Sequence, residues 1–388
     1  MGPSAVNGVC EKLCRVVAAL WQLGLNLVMS HMPMDSQPDL PLGMDALEAR
    51  RRLEKCETIS IAGREVATTP VFYAYWRFAA ERQRIFYRRL QRADGPLTDD
   101  SILRSFKFTN TYRASDRVSQ FLIRNVIYRD DLPDDETNLF FRILLFKLFN
   151  KIETWQLLEA ELGALTLDTF DFRRYDHVLS RRMSDGQRIY SAAYIMPSVG
   201  NIFGHRLKHQ NHLRMLAHLI DQNYPSRLTD CRTMAEAFTL LLSVPSIGPF
   251  LGYQFATDLN YSTLTDFSED EFVVAGPGAL DGINKCFLSA YKIDPADIIR
   301  YMCDNQERHF ADQGIEFQKL WGRPLQLIDC QNLFCETSKY ARVAFPEFDG
   351  LAGRKRIKQK FISAGSLPVP WYPPKWDLNG RIAEHSFA

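Results

Sequence analysis

The sequence predicts an all-α domain beginning near Thr58. Three observations predict it: Gly and Pro punctuation is sparse beyond that point, apolar residues recur at helical spacing, and alternating β-branched runs are few. Residues 1–57 read as an N-terminal helix and linker. The apolar stretch Val16 to Met29 contains Gln22 and Asn26 and is too short for a membrane span. It follows Lys12 and Arg15 as a signal peptide would, yet no small-residue cleavage pattern comes before His31 and Met32, so an N-terminal extension is expected. Pro33, Pro38, Pro41 and Gly43 mark the linker.

The body, 58–345, is then a succession of helices. Pro70 opens one through Arg92, with Phe72, Trp76, Ala79 and Ile85 on one side and Arg77, Glu81, Arg84 and Arg88 on others. Phe108 to Arg124 is read as one amphipathic helix. Leu139 to Phe149 is apolar nearly all round, interrupted by Arg142 and Lys147 and preceded by the N-cap candidates Asp134 and Asp135, which predicts a central buried helix. Leu213, Leu216, Ala217 and Ile220 mark another, and Asp294-Pro295 starts a further one in the N-cap, N1 arrangement. Residues 346–388 read as an extended tail, basic at Arg354, Lys355, Arg356, Lys358 and Lys360 and then Pro- and Trp-rich from Pro368 to Trp376. The basic run is read as a solvated face, with nucleic-acid contact or nuclear import as the alternative.

Composition narrows the function classes. The chain has 388 residues, 46% hydrophobic and 24% charged, which is neither disordered nor fibrous. Lys+Arg 47 against Asp+Glu 46 gives a net charge of +1, so capture of nucleic acid or of an anionic membrane by overall charge is excluded and any such binding needs a local cluster. The cysteines (Cys10, Cys14, Cys56, Cys231, Cys286, Cys303, Cys330, Cys335) fit neither a disulfide framework nor a zinc site, which indicates a reducing compartment; an intracellular location, nuclear in a eukaryote, is expected.

Four stretches carry chemistry. In FTNTYRASDRVSQFLIR, a helix of 3.6 residues per turn places Arg113, Asp116, Arg117, Gln120 and Arg124 on one face, opposite Val118, Phe121, Leu122 and Val126. Guanidinium forks match phosphate oxygens, and a carboxylate among them orients an Arg or takes a proton; a self-paired solvated face is the alternative. In LSVPSIGPFLGYQFATDLNY a helix ends near Ser243, Pro245, Gly248 and Pro249 make a turn, and Pro249 begins the next helix, whose first N–H groups suit a DNA phosphate. An ordinary αα-corner is the competing reading, since Ser246 stands where a helix-hairpin-helix usually has its first glycine. Gln254, Asp258 and Tyr261 form a polar stripe along the second helix. In AGPGALDGINKCF, a Gly-Pro-Gly turn entering a helix, glycine allows positive φ and close backbone approach, so successive N–H groups around Gly276 and Gly278 can form a nest for a phosphate, with Lys285 supplying charge and Asp281 a carboxylate. No G-x4-G-K-[ST] occurs in the sequence, so a P-loop is not read. In DCQNLFCETSKYAR, Glu336, Lys339 and Tyr340 share helical spacing, Leu333 and Phe334 face inward, and Cys330 and Cys335 are buried thiols. His205, His209 and His212, beside Arg206, Lys208 and Arg214, read as a basic surface rather than metal ligands.

In this order the four motifs FTNTYRASDRVSQ, GPFLGYQFATDLNY, AGPGALDGINKCF and DCQNLFCETSKYAR resemble the helical domain associated with 5-hydroxymethyluracil DNA kinases, a family also described as α-glutamyl/putrescinyl thymine pyrophosphorylases. The resemblance covers approximately Thr69 to Arg342. It implies a fold similar to helix-hairpin-helix DNA glycosylases and a role in thymine hypermodification, in which an activated 5-hydroxymethyl pyrimidine in DNA exchanges pyrophosphate for an amine or amino acid. Relatives often carry a fused P-loop kinase domain, so the activating step is expected from a separate kinase. Arg113, Arg117 and the turn Gly276 to Gly278 are then candidates for the phosphates. Asp116, Asp258, Asp281 and Glu336 compete as proton acceptor, with Asp258 favoured and Gln254 as a base-reading amide. Tyr112, Tyr253 and Tyr261 are candidates to stack on an extruded base. Expected partners are DNA and a small amine or amino acid, with no membrane; no metal-ligating set is read, and Mg2+ is admitted only as an ion assisting pyrophosphate. A hydrolytic glycosylase excising a modified pyrimidine and a non-catalytic DNA-binding module are the competing functions.

Overall fold

The chain enters the body on a β-hairpin rather than a helix. In the computed structural model, which describes residues 57–192, 196–200, 202–348, 350–362, 365 and 367–384, β1 (Thr58–Ile61) pairs antiparallel with β2 (Arg64–Thr68). Ala62 and Gly63 turn the chain between them with φ of 48° and 72°, the successive left-handed pair that a two-residue hairpin needs. That Ala-Gly pair between β-branched residues was the local signal for strands that helical periodicity obscured. The N-terminal apolar stretch, its linker, and Cys10, Cys14 and Cys56 lie outside the described residues.

Helices make up the rest of the body. They are α1 (Pro70–Leu90), α2 (Ser101–Ser105), α3 (Arg117–Leu122), α4 (Glu136–Phe149), α5 (Ile152–Leu162), α6 (Phe172–Ser184), α7 (Lys208–Asp221), α8 (Tyr224–Thr229), α9 (Met234–Leu242) and α10 (Pro249–Leu259). Then follow α11 (Pro277–Cys286), a two-residue β3 (Phe287–Leu288), α12 (Pro295–Asp304), α13 (Gln306–Asp312), α14 (Leu327–Ala344) and α15 (Asn379–Ala383). Strand β3 closes the sheet in the order β1-β2-β3, pairing Thr68 with Phe287. The helix starts follow from capping: Thr69, Asp135 and Asp294 accept N–H bonds from the first turns of α1, α4 and α12, and Pro fills the first position of α1, α10, α11 and α12.

Helix α4 is the central element, buried from Asn138 to Phe149. Its two interior cations are committed to specific partners. Arg142, 0% exposed, donates to the Val126 and Ile127 carbonyls at 3.0 and 3.4 Å, satisfying a π-helical turn (Ile123–Ile127) that extends α3. Lys147 reaches α10. Helices α11 and α14 approach so closely that a Cβ on Gly282 would lie 2.1 Å from the Phe334 carbonyl oxygen, and one on Gly278 would lie 2.9 Å from Cys335 Sγ.

Two expectations change here. His209 and His212 are both 0% exposed and belong to the interior of α7 rather than to a basic surface: His209 Nε2 lies 2.8 Å from Asp176 Oδ1, and His212 bridges the Tyr190 hydroxyl and the Pro197 carbonyl. Nor is the Pro- and Trp-rich segment extended. Tyr372 is 0% exposed, its hydroxyl lies 2.7 Å from Ser115 Oγ, and Trp371 exchanges backbone bonds with the Gln120 amide, because its aromatic surface is buried best against the body. Among the described residues, no helix is long and apolar enough to cross a membrane.

Candidate functional site

The segment from Phe108 to Asp116 is not helical until a short 3-10 turn, Arg113–Ser115, and Asp116 returns to extended backbone at ψ 146° before α3 begins. That interruption turns Arg113 inward. Its backbone N–H donates to Asp329 Oδ1 at 2.8 Å, and its guanidinium donates to Gln254 Oε1 (3.1 Å), to Asp258 Oδ1 and Oδ2 (2.8 and 3.0 Å) and to the Tyr261 hydroxyl (2.9 Å). The 3.6-residue period of α10 sets Gln254 and Asp258 on the side that meets Arg113, and Tyr261, in the turn just past the helix end, brings its hydroxyl to the same guanidinium. Lys147 Nζ completes the layer 2.9 Å from Asp258 Oδ2 and donates to Asn150 Oδ1 at 2.8 Å. Burial alone would raise the Asp258 carboxyl; Arg113 and Lys147 outweigh it and hold the group below its usual range. Asp329, also buried, is pushed up to about 6, against the pull of the Arg113 and Gln326 N–H groups.

A second pair of carboxylates lies closer to solvent. Asp116 Oδ1 accepts the Asn110 N–H at 2.7 Å, and Glu336 Oε2 accepts the neighbouring Thr109 N–H at 2.9 Å as well as Lys339 Nζ at 2.8 Å. One short run of backbone therefore carries a carboxylate from α14 and one from the start of α3. Arg82 steadies it, donating to Thr109 O at 2.9 Å and Asn110 Oδ1 at 3.0 Å, and Asn332 donates to Thr109 Oγ1 at 3.0 Å. Asp116, Asn110, Asn332, Glu336 and Lys339 are all partly exposed. Burial pushes the Asp116 carboxyl up to about 7, and nearby Glu336 adds to this; the Asn110 N–H, Arg82 and Arg113 oppose it.

The expected residues thus divide. Arg113, Gln254 and Asp258 meet in the interior layer, and Asp116 and Glu336 meet beside it. Arg117 does not join them: its side chain is 68% exposed and lies 3.6 Å from Glu153, while Arg124 donates to the Val369 carbonyl at 2.7 Å. The single-face helix fails because the break at Asp116 resets the helical phase. Asp258 is no open proton acceptor; it is 0% exposed with both oxygens occupied. Tyr112, Tyr253 and Tyr261 are each 1% exposed and pack in the core, offering no free ring face.

The Gly-Pro-Gly turn also departs from expectation. Gly276 has φ of −75° and caps α11, so the turn is not a positive-φ nest. Its glycines serve close packing: a Cβ on Gly276 would lie 2.6 Å from the Phe250 ring. Asp281 and Lys285 are buried away from the Arg113 layer. Asp281 takes the Ser338 hydroxyl and the Ala352 N–H, and Lys285 Nζ donates to the Ser338 carbonyl at 3.0 Å. The helix–turn–helix of this stretch forms where expected, with α9 ending at Leu242 and Pro249 opening α10. Ser246 adopts φ of 67° where a glycine was missed, and Gly248, exposed, caps α10 with no side-chain bond.

Lys147, Asp329, Arg82 and Asn110 were not singled out from sequence. Lys147 had a legible signal, since a cation inside a wholly apolar helix requires a buried anion. Beside this centre, an open groove of about 510 Å³ is lined by Arg124, Tyr128, Asp130, Asp134 and Trp371 among others, and Tyr128 links it to the layer by donating to the Tyr261 carbonyl at 2.9 Å. Among the described residues, no group of His, Cys, Asp or Glu is placed to hold a metal ion.

Fold and site define a helix-rich domain in which three of the four sequence motifs, all but AGPGALDGINKCF, contribute to one buried ion-pair layer and the carboxylate pair at its edge. The chain belongs to the family described as 5-hmdU DNA kinase, helical domain, which it matches over residues 69–350. A curated relative, the 5-hmdU DNA kinase of Bacillus phage SP10, is 26% identical over 306 residues, covering 74% of this chain and 47% of the relative; the chain spans about half that protein's length. No solved structure matches it.

Proposed function

We propose that this chain modifies a 5-hydroxymethyl pyrimidine in DNA, exchanging the pyrophosphate of the activated base for an amine or amino acid. In this reading the amine nitrogen attacks the exocyclic CH2 carbon, the C–O bond breaks with its electron pair leaving on pyrophosphate, and the proton lost by the nitrogen passes to a carboxylate. The observation that carries the assignment is Asp116: partly exposed, next to Glu336, with a carboxyl pushed up to about 7, where a general base is effective near neutral pH. Arg113 and Asp258 act as positioning residues, holding the segment that presents Asp116. Lys339, on Glu336, is the nearby cation for a departing phosphate. The activating phosphoryl transfers belong to a separate kinase activity.

The test is incubation of the purified chain with DNA carrying the activated pyrimidine and a panel of amines, read by nucleoside mass spectrometry. The expected product carries the amine, its rate rises with pH through about 7 as Asp116 loses its proton, and Asp116→Asn lowers it by roughly 10²–10⁴-fold with substrate binding retained. An unchanged nucleoside across all amines overturns the reading. Abasic sites instead of product would establish a glycosylase.

A further inference from the structure

The stretch from Phe172 to Arg214 holds eight arginines and lysines against two aspartates in a chain whose net charge is only +1. Asp176 is taken up within the fold by His209 and Gln210, and the preceding Asp171 caps α6 at the Arg174 N–H. The cations face out. Arg173, Arg174, Arg206 and Arg214 are exposed, and among the described residues none of them forms a salt bridge, unlike Arg181, which pairs with Glu161.

These charges are also held in place. The Arg214 guanidinium lies 3.8 Å over the Phe172 ring and its Nε is 3.4 Å from His205, whose ring packs 5.0 Å from Phe172. Lys208 Nζ lies 4.3 Å over Tyr190, so both cations have already given up part of the freedom that binding an anion would cost them. From this face a chain of contacts runs to the hairpin. The Tyr190 hydroxyl meets His212 at 2.8 Å, His212 meets the Pro197 carbonyl at 3.0 Å, and Ser246 in the turn before α10 donates to the Ser198 carbonyl at 3.2 Å.

We propose that the arginine face of α6 and α7 is a docking surface for the sugar–phosphate backbone of duplex DNA, continuous with the exposed hairpin turn and flanking the base on which the chain acts. The inference rests on the DNA-modifying reading above. A regularly spaced polyanion fits because the cations extend over two helices rather than converging on one pocket, and because the contacts just described lead to the turn before α10, where Ser246, Gly248 and Pro249 are exposed at the start of a helix.

The experiment compares the full chain with Arg173→Gln/Arg174→Gln/Arg214→Gln, and with a control triple that removes equal charge from the tail, Arg354→Gln/Arg356→Gln/Lys358→Gln. Affinity for an ordinary B-form duplex is measured by fluorescence anisotropy across a salt series. Every phosphate that the protein ceases to neutralise lowers the slope of log K against log salt by about 0.9, so the face triple should flatten it by up to about 2.7 while the tail triple leaves it in place. The charge-preserving Arg173→Lys/Arg174→Lys/Arg214→Lys should keep most of the slope, which separates removal of charge from damage to the fold. An unchanged slope in the face triple overturns the proposal, as does equal flattening by the tail triple. Weaker binding of the face triple to phosphatidylserine–phosphatidylcholine vesicles, with duplex binding intact, overturns it in favour of a membrane surface. If the parent chain forms product while the face triple keeps its slope, or while the parent itself shows no salt-dependent duplex binding, only this inference falls; if the parent forms no product with any amine and shows no salt-dependent duplex binding, both readings fall.

Discussion

Asp258→Asn distinguishes a buried structural charge from a catalytic one. The side chain has its two oxygens 2.8 and 3.0 Å from the Arg113 guanidinium and 2.9 Å from Lys147 Nζ, at 0% exposure. The amide keeps the shape and removes the charge, leaving two cations in one dry layer. Removing one partner of a buried ion pair costs about 3–5 kcal/mol, a large part of the roughly 5–15 kcal/mol that stabilises a typical protein. Lys147 limits the loss: burial already lowers its pKa and Asp258 is the main influence opposing that, so in the variant the lysine sheds its proton more readily. The expected deficit at neutral pH is therefore at the lower end, about 3 kcal/mol. The sign with pH follows. A base whose folded pKa lies below its unfolded value binds fewer protons when folded, so the variant recovers stability as pH rises and loses it as pH falls through the folded value.

Arg113→Met is the comparison. It leaves Asp258 and Lys147 as a one-to-one pair, so despite the loss of more hydrogen bonds it should destabilise less, by about 2 kcal/mol. Urea unfolding of the parent and both variants near neutral and at alkaline pH checks the order and its pH trend. An Asp258→Asn protein as stable as the parent yet unable to form product would refute the argument and make Asp258 the reacting carboxylate.

Two further outcomes follow from packing and titration. Gly282→Ala should lower stability by about 3 kcal/mol, because its Cβ meets the Phe334 backbone at 2.1 Å and the two helices must part, whereas Gly252→Ala, meeting only side-chain atoms at 3.3 Å, should stay within about 1 kcal/mol once its gain in helix propensity is included. Equal melting temperatures for the two would contradict the close approach of α11 and α14. Burial holds the His212 imidazole down at about 4, so its contribution is complete above the unfolded value of about 6.5 and is lost as pH falls toward 4. His212→Gln should flatten the acid limb of a stability–pH curve by up to about 3 kcal/mol, and His309, also held at about 4, accounts for part of the slope that persists. An acid limb unchanged by the substitution would place His212 at the surface.

The residues that were legible in the sequence are those whose structure is set locally. Pro70, Asp135, Asp294 and Pro249 fix helix starts through caps and a preset φ, and each starts its helix where expected. The apolar run of α4 announced burial on every side. What failed depended on partners distant in sequence. Nothing within FTNTYRASD shows that a carboxylate at position 329 will hold the Arg113 N–H, and with that tether the segment forms a 3-10 turn instead of a helix. The glycines at 276 and 278 allow both positive φ and close backbone approach; Gly276 takes φ of −75° and packs on the Phe250 ring, while Gly278 packs on Cys335 of α14, so it is the close approach that the structure shows. The histidines of α7 were judged by neighbours in sequence, whereas Asp176, Tyr190 and Pro197 are their neighbours in space.

The interior layer is not required for stability as such, since well-packed apolar residues replace buried ion pairs with little or no loss. What an apolar set would not provide is direction. Bidentate pairing and the bond to Asp329 fix Arg113 in both side chain and backbone, and Asp116 lies three residues further on, before α3 can begin. The same segment carries Thr109 and Asn110, whose N–H groups bind Glu336 and Asp116. Anchoring Arg113 therefore sets where two carboxylates stand relative to each other, and their proximity is part of what raises the Asp116 carboxyl toward neutrality. On this reading the deeply buried charges act on chemistry through geometry: they hold the backbone that places the half-exposed base.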